Sequence, residues 1–107
     1  MWKTRIAAPD QAKVGESIEI RTLIAHPMES GFRLDSVGQP IPRDIITSVV
    51  CTYAGREVFR AQLQPAIAAN PYLSFFVTAT VTGTLQLTWT DQHGQQAHAE
   101  HQLQVTK

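Results

Sequence analysis

Residues 17–25 read SIEIRTLIA, and their alternation of apolar and polar side chains decides the fold class. A period of two is typical of a β-strand that buries one face and exposes the other. The stretch therefore predicts a half-buried strand. Its expected inward face consists of Ile18, Ile20, Thr22 and Ile24.

Similar segments lie on both sides of this strand. Residues 2–7 end shortly before Pro9, which suits an edge strand. Residues 12–16 read as a turn that pivots on Gly15. Residues 45–53 are rich in β-branched side chains and nearly uncharged, as expected for a central strand.

The second half of the chain continues the pattern. Residues 53–56 (YAGR) predict a tight hairpin turn, whereas residues 64–71 (QPAIAANP) are irregular, with one helical turn expected at most, over residues 65–70. About seven short antiparallel strands predict an all-β, immunoglobulin-like β-sandwich. The expected centre of its core is Trp89 with the face of Leu73, Phe75 and Val77. The remaining predicted strands are residues 57–63, 72–81, 84–91 and 96–106.

Length and charge narrow the function classes. The chain has 107 residues, 43% of them hydrophobic, which suits a single domain over residues 1–107. Nine basic and nine acidic residues cancel. This balance argues against nucleic acid or an anionic membrane as a partner, because both need a basic surface. A single cysteine excludes an intrachain disulfide.

Residues 26–43 (HPMESGFRLDSVGQPIPR) form a connection far longer than the usual ~4–6 residues. Such loops on a rigid scaffold tend to carry binding function. Its apolar side chains allow two interpretations. They could fold back as a lid over the end of the sandwich, or they could form a protein-binding surface, since aromatic residues, Met and Arg are enriched in such surfaces. We expect a partner-binding surface formed by His26, Met28, Phe32, Arg33, Pro42 and Arg43, with Asn70 and Tyr72 from the second irregular stretch.

Catalytic chemistry is not indicated. His98 and His101 are three residues apart, so a strand places them on opposite faces, and His93 lies in a predicted turn. Cys51 lies in a central strand, where a thiol behaves as a small hydrophobe. We therefore expect no metal, no cofactor and no enzymatic activity.

Several strings resemble the SoxZ family. They are HPMESG (26–31), IPR (41–43), YAGREVF (53–59), ANPYLSF (69–75) and the stretch 83–91, so the resemblance covers essentially the whole chain. It implies the non-catalytic half of the sulfur carrier of the bacterial sulfur-oxidising (Sox) pathway. In that family the partner, SoxY, holds sulfur covalently on a cysteine of a glycine-rich tail. Other Sox enzymes act on the bound sulfur through transient contacts with the complex. Residues 102–107 lack glycine and cysteine, so the resemblance leads us to expect that this chain is not the sulfur-carrying subunit.

The resemblance also changes the expected location. Residues 1–16 have no apolar signal-peptide region, and by themselves predict the cytosol. SoxZ-like chains are instead expected in the periplasm, exported with a partner that carries a twin-arginine signal.

Two alternatives stay open beside a scaffold that pairs with a SoxY-like carrier. One is a self-contained ligand- or sulfur-binding domain that uses Cys51 or His26. The other is a homodimeric immunoglobulin-like adaptor, and homo-oligomers of the isolated chain are compatible with the scaffold role.

Overall fold

The computed structural model describes residues 2–63 and 69–107. All regular structure in these residues is β-strand, arranged as two packed sheets, which confirms the immunoglobulin-like β-sandwich. The possible helical turn at residues 65–70 falls mostly outside the described residues. No helix in the described part is long and apolar enough to cross a membrane.

In the described residues eight strands form the two sheets, one more than the seven or so expected. A three-stranded sheet has the order β1-β3-β6, and a five-stranded sheet has the order β2-β8-β7-β4-β5. Every pairing is antiparallel except that of β2 with β8. The strands are β1 (Thr4–Ala7), β2 (Gln11–Lys13), β3 (Ser17–Ile24), β4 (Ile46–Tyr53), β5 (Arg56–Gln62), β6 (Tyr72–Thr78), β7 (Gly83–Asp91) and β8 (Gln96–Thr106).

The additional strand is β2, in a region where the sequence predicted a turn. Ala12 is buried in the core, and its backbone pairs with Val105 of β8. The turn begins only after Lys13 and contains Gly15 at φ +88°. A parallel pairing of three residues depends on a strand that lies far away in the sequence, so the local pattern does not reveal it.

The core follows the predicted alternation. The inward residues of β3 are almost fully buried, and Trp89 of β7 is the largest side chain enclosed between the sheets. Phe75 of β6 stacks on Phe59 of β5, with ring centroids 4.0 Å apart. This stack joins the end strands of the two sheets along one side of the sandwich.

A second contact between the sheets involves Tyr53 at the end of β4. Its hydroxyl accepts hydrogen bonds from the backbone N–H groups of Thr80 (3.1 Å) and Val81 (3.0 Å), and it also bonds to the carbonyl oxygen of Val81. Burial raises the pKa of Tyr53, but the two backbone donors outweigh it and the pKa is lowered overall. Tyr53 thus fixes the β6–β7 connection to the opposite sheet.

We predict that Tyr53→Phe lowers the free energy of unfolding by about 1–2 kcal/mol, because two backbone donors lose their acceptor. Urea unfolding followed by tryptophan fluorescence measures the change. Tyr72→Phe is the matched control, since Tyr72 is largely exposed on β6 and should change stability little. Equal effects of the two substitutions would contradict the proposed role of the Tyr53 hydroxyl.

Candidate functional site

The loop between β3 and β4 is an ordered hairpin that projects from the sandwich. Glu29 and Asp44 exchange two backbone hydrogen bonds of 2.8 Å each at its base. Further out, Ile41 N–H donates to the carbonyl of Arg33 at 2.8 Å, and Leu34 pairs with Pro40. We call residues 29–44 the projecting hairpin.

The tip of the projecting hairpin is closed by Asp35. Its carboxylate accepts hydrogen bonds from the backbone N–H groups of Val37 (3.0 Å) and Gln39 (2.9 Å). An aspartate that bonds its own turn in this way is a common device for closing short loops. The connection predicted as one long loop therefore has its own backbone order.

Gly31 is required where the two arms of the projecting hairpin meet. It has φ +90°, and a Cβ at this position would lie 3.3 Å from the Cβ of Arg43. The neighbouring arm is held in turn by Gln92, whose Oε1 accepts from Arg43 Nε (3.2 Å) and from Ile45 N–H (3.3 Å). The returning arm is thus fixed to the sandwich, and the first arm packs closely against it at Gly31.

His26 organises the base of the hairpin. Its N–H donates to Asn70 Oδ1 at 2.9 Å, and its carbonyl accepts from Asn70 N–H at 2.7 Å. Its Nδ1 accepts from Met28 N–H at 2.9 Å. Met28 and Asn70 both have positive φ, 51° and 53°, which L-residues adopt at a cost of about 1 kcal/mol each. The contacts of His26 hold this strained pair in place.

The imidazole of His26 is a structural group in this position. Because Nδ1 accepts a hydrogen bond, a neutral ring carries its proton on Nε2. Nε2 has no hydrogen-bond partner among the described residues, and it lies 3.6 Å from Asp44 Oδ1. The ring meets Trp2 edge-on, with centroids 4.9 Å apart. His26 is 1% exposed, so no ligand can approach the ring without a rearrangement.

Two of the residues expected to touch a partner are therefore buried in their own chain. His26 points inward, and Met28, 5% exposed, accepts from Ile46 N–H through Sδ at 3.2 Å. The lid interpretation is right for Met28. We correct their assignment from direct contacts to residues that hold the projecting hairpin, because burial leaves no surface for a partner.

Phe32, in contrast to His26 and Met28, is exposed to solvent. It is 87% exposed on the projecting hairpin, next to Arg33, whose guanidinium pairs with Glu29. That hydrogen bond lowers the pKa of Glu29 and raises that of Arg33. Pro42 and Arg43 are also exposed on the returning arm. These four residues lie on an accessible surface.

Sequence reasoning missed two members of this surface. Leu34 is 59% exposed and Val37 is 76% exposed. The signal was present in the DSVG turn at residues 35–38, which is flanked by residues that pair across it. Together with Phe32 they give the hairpin an exposed apolar surface.

Asn70 and Tyr72 belong to different parts of the structure. Asn70 bonds to His26 and so belongs to the base of the projecting hairpin. Tyr72 begins β6, is 57% exposed, and lies opposite Leu23 on the outer face of the three-stranded sheet.

The described histidines and the cysteine form no metal-binding cluster. No group of three or more His, Cys, Asp or Glu side chains converges in residues 2–63 and 69–107. His98 and His101 face opposite sides of β8, and they bond to Thr88 Oγ1 (3.1 Å) and the carbonyl of Pro9 (3.0 Å). Cys51 is fully buried, and burial raises the pKa of its thiol to about 11.

The sequence profile of a family described as "Sulphur oxidation protein SoxZ" matches residues 5–102. The chain belongs to the SoxZ family. The projecting hairpin and every buried core residue except Leu103 lie within the matched residues. No curated protein is significantly similar to the chain in sequence.

Solved structures share the fold at low sequence identity. The sulfur carrier protein SoxY from Chlorobium limicola is 17% identical with a TM-score of 0.68, covering 97% of this chain and 79% of the SoxY chain. A superoxide reductase (neelaredoxin) from Ignicoccus hospitalis is 17% identical with a TM-score of 0.73, covering 96% and 80% of the two chains. A putative superoxide reductase from Thermotoga maritima is 15% identical with a TM-score of 0.75, covering 97% and 86%. These likenesses show the fold alone.

We predict that Cys51 in the folded protein resists alkylation by iodoacetamide at pH 7–8. A thiol with a pKa near 11 is almost entirely protonated there, and it is also buried. Mass spectrometry should show little modification in buffer and complete modification in denaturant. Rapid labelling of the native protein would restore the alternative in which Cys51 binds sulfur.

We predict that Asn70→Ala loosens the projecting hairpin, because His26 N–H loses its acceptor and an alanine takes the positive φ. Hydrogen exchange measured by mass spectrometry should become faster for residues 26–31 and 41–46. Exchange in β7 should stay unchanged, which serves as the internal control. Uniformly faster exchange would mean global destabilisation instead of a local role.

Proposed function

We propose that this protein is a non-catalytic binding subunit that pairs with a SoxY-like sulfur carrier. In the pair it supports presentation of the carrier's covalently bound sulfur to the enzymes of thiosulfate oxidation. Membership of the SoxZ family supports the sulfur-oxidation role. One structural observation supports the binding role. The projecting hairpin is held at its base by hydrogen bonds, and it exposes large apolar side chains to solvent.

The exposure of Phe32 is the main argument for a partner at this surface. Phe32, Leu34 and Val37 are each more than half exposed on one projecting element. Apolar patches of this kind with a polar rim are typical of protein interfaces. Arg33, Arg43 and Glu29 supply the charged rim.

The order of the hairpin strengthens the argument. Strained residues tend to persist where surrounding contacts fix them for a functional purpose. Here Met28 and Asn70 are held by His26, and Asp35 closes the tip. A surface that is ordered before binding loses less conformational entropy when a partner docks.

The alternative of a self-contained sulfur-binding domain lacks support from Cys51 and His26. Both are buried in the described structure, and the thiol is kept protonated. A carrier cysteine must instead be reachable by several enzymes.

The proposal places the pair in the periplasm, reached together with the carrier. Expression with and without the SoxY-like chain, followed by cell fractionation, tests this location. We expect the protein in the periplasmic fraction only when the exported partner is present. Export without the partner would overturn this part of the proposal.

We predict that Phe32→Ala weakens binding to the SoxY-like chain by about tenfold or more, since a buried aromatic anchor contributes at least ~1–2 kcal/mol. Isothermal titration calorimetry with the two purified chains measures the affinity. Val14→Ala is the matched control, because Val14 is 56% exposed but lies in the β2–β3 turn, outside the hairpin. If both Phe32→Ala and Val37→Ala left the affinity unchanged, the interface with the SoxY-like chain would have to lie outside the projecting hairpin.

A further inference from the structure

The two sheets end in four edge strands, and three of these edges are protected. Exposed edges invite pairing with other chains, and proteins block them with short strands, charges or proline. In the described part of the chain, β1 has only four residues and contains Arg5, and β2 has only three and contains Lys13. β5 contains Arg56, Glu57 and Arg60.

The fourth edge, β6, has none of these devices. It is seven residues long and reads YLSFFVT, without a charge or a proline. Among the described residues, only β3 pairs with it. Two large side chains, Tyr72 and Phe76, stand exposed on its outer face at 57% and 67%.

The outer edge of β6 also presents free backbone groups. The carbonyl of Pro71 accepts from Ile24 N–H across the β3–β6 pairing, at 3.4 Å. Backbone groups of an antiparallel strand point alternately toward and away from the neighbour. The N–H and C=O groups of Tyr72, Ser74, Phe76 and Thr78 therefore point away from β3.

A groove runs beside this edge, on the side of the sandwich where β5 and β6 face each other. Its volume is about 760 Å³, and Val58, Phe76 and Val81 give it an apolar lining. Arg56 and Glu57 lie along its β5 side. A strand added to β6 would place alternate side chains over this groove.

We propose that the outer edge of β6 pairs antiparallel with β6 of a second copy of this chain. In the register that uses the whole strand, Phe75 faces its own copy, Ser74 faces Phe76, and Tyr72 faces Thr78. All outward backbone groups then find partners. The two three-stranded sheets join into one continuous sheet across a twofold axis.

The second copy is favoured because β6 complements itself. A twofold contact brings each residue of the strand against another residue of the same strand, so like charges would repel. β6 has no charge to repel in any register, whereas a β5 pairing centred on Val58 would set Arg56 against Arg60 of the copy. In the dimer, Phe76 of each copy would be covered by β6 of the other copy.

Sedimentation velocity of the isolated protein at increasing concentration tests the proposal. We expect a concentration-dependent dimer. Phe76→Lys should raise its dissociation constant by about tenfold or more, because each lysine charge enters the contact. Ser74→Pro removes one outward N–H per chain and should also weaken the dimer. Val14→Lys, in an exposed turn outside β6, is the matched control and should leave the dimer unchanged.

A charge exchange gives the sharper test. The double variant Ser74→Lys/Phe76→Glu should form the dimer more tightly than Phe76→Glu alone, since each lysine then faces the partner's glutamate. Circular dichroism and thermal melting of every variant verify the fold, and Phe76→Lys decides the result if Ser74→Pro is unstable.

Two results would overturn the proposal. One is a monomer at every concentration, and the other is a dimer that none of the β6 substitutions weakens. A monomer whose β6 variants bind the SoxY-like chain less well would also overturn it, and would assign this edge to that partner. The proposal is independent of the hairpin, because Phe32→Ala should leave the homodimer intact while it weakens the carrier complex.

Discussion

A three-stranded sheet packs on a five-stranded one, and this difference in width determines which surfaces the molecule leaves open. β5 is the end strand of the wider sheet, and its inward residues Phe59 and Ala61 are only half-buried. The stacking of Phe59 on Phe75 closes part of the gap. What remains is the groove between β5 and β6, which is lined by exposed Val58, Phe76 and Val81 and, on its β5 side, by Arg56 and Glu57. The same geometry leaves β6 at an edge although its sequence resembles that of an interior strand.

The projecting hairpin has a different origin. It connects β3 to β4, and it is held in position by contacts with distant parts of the chain. His26 binds Asn70 from the other irregular stretch, and Arg43 binds Gln92 at the end of β7. These contacts use polar groups of residues that flank the strands, so the sandwich core does not have to change to support the hairpin. Exposed apolar residues can then vary at the tip without a cost to the core.

The strands could be predicted from the sequence, whereas much of the candidate site could not. Alternation along β3, β6 and β7 is a local property, and it placed Ile20, Phe75 and Trp89 inside correctly. The parallel pairing of β2 depends on β8, at the other end of the chain. The inward direction of His26 and Met28 depends on a positive φ at Met28 and on contacts with Asn70. Composition predicted a binding surface on this loop and included Phe32, but the exposure of Leu34 and Val37 follows from the hairpin pairing around residues 34–40.

The state of Cys51 bears on the proposed role beside a reactive sulfur carrier. Thiol–disulfide exchange and related sulfur transfers need a thiolate that can approach the sulfur atom it attacks. Cys51 fails on both counts, because it lies between β5 and β7 on an interior strand and burial raises its pKa to about 11. A subunit that sits close to a partner's sulfur intermediate would divert that intermediate if it offered a competing nucleophile. The buried thiol of this chain therefore suits the proposed companion subunit, in which every sulfur transfer would be left to the carrier and to the enzymes that act on it.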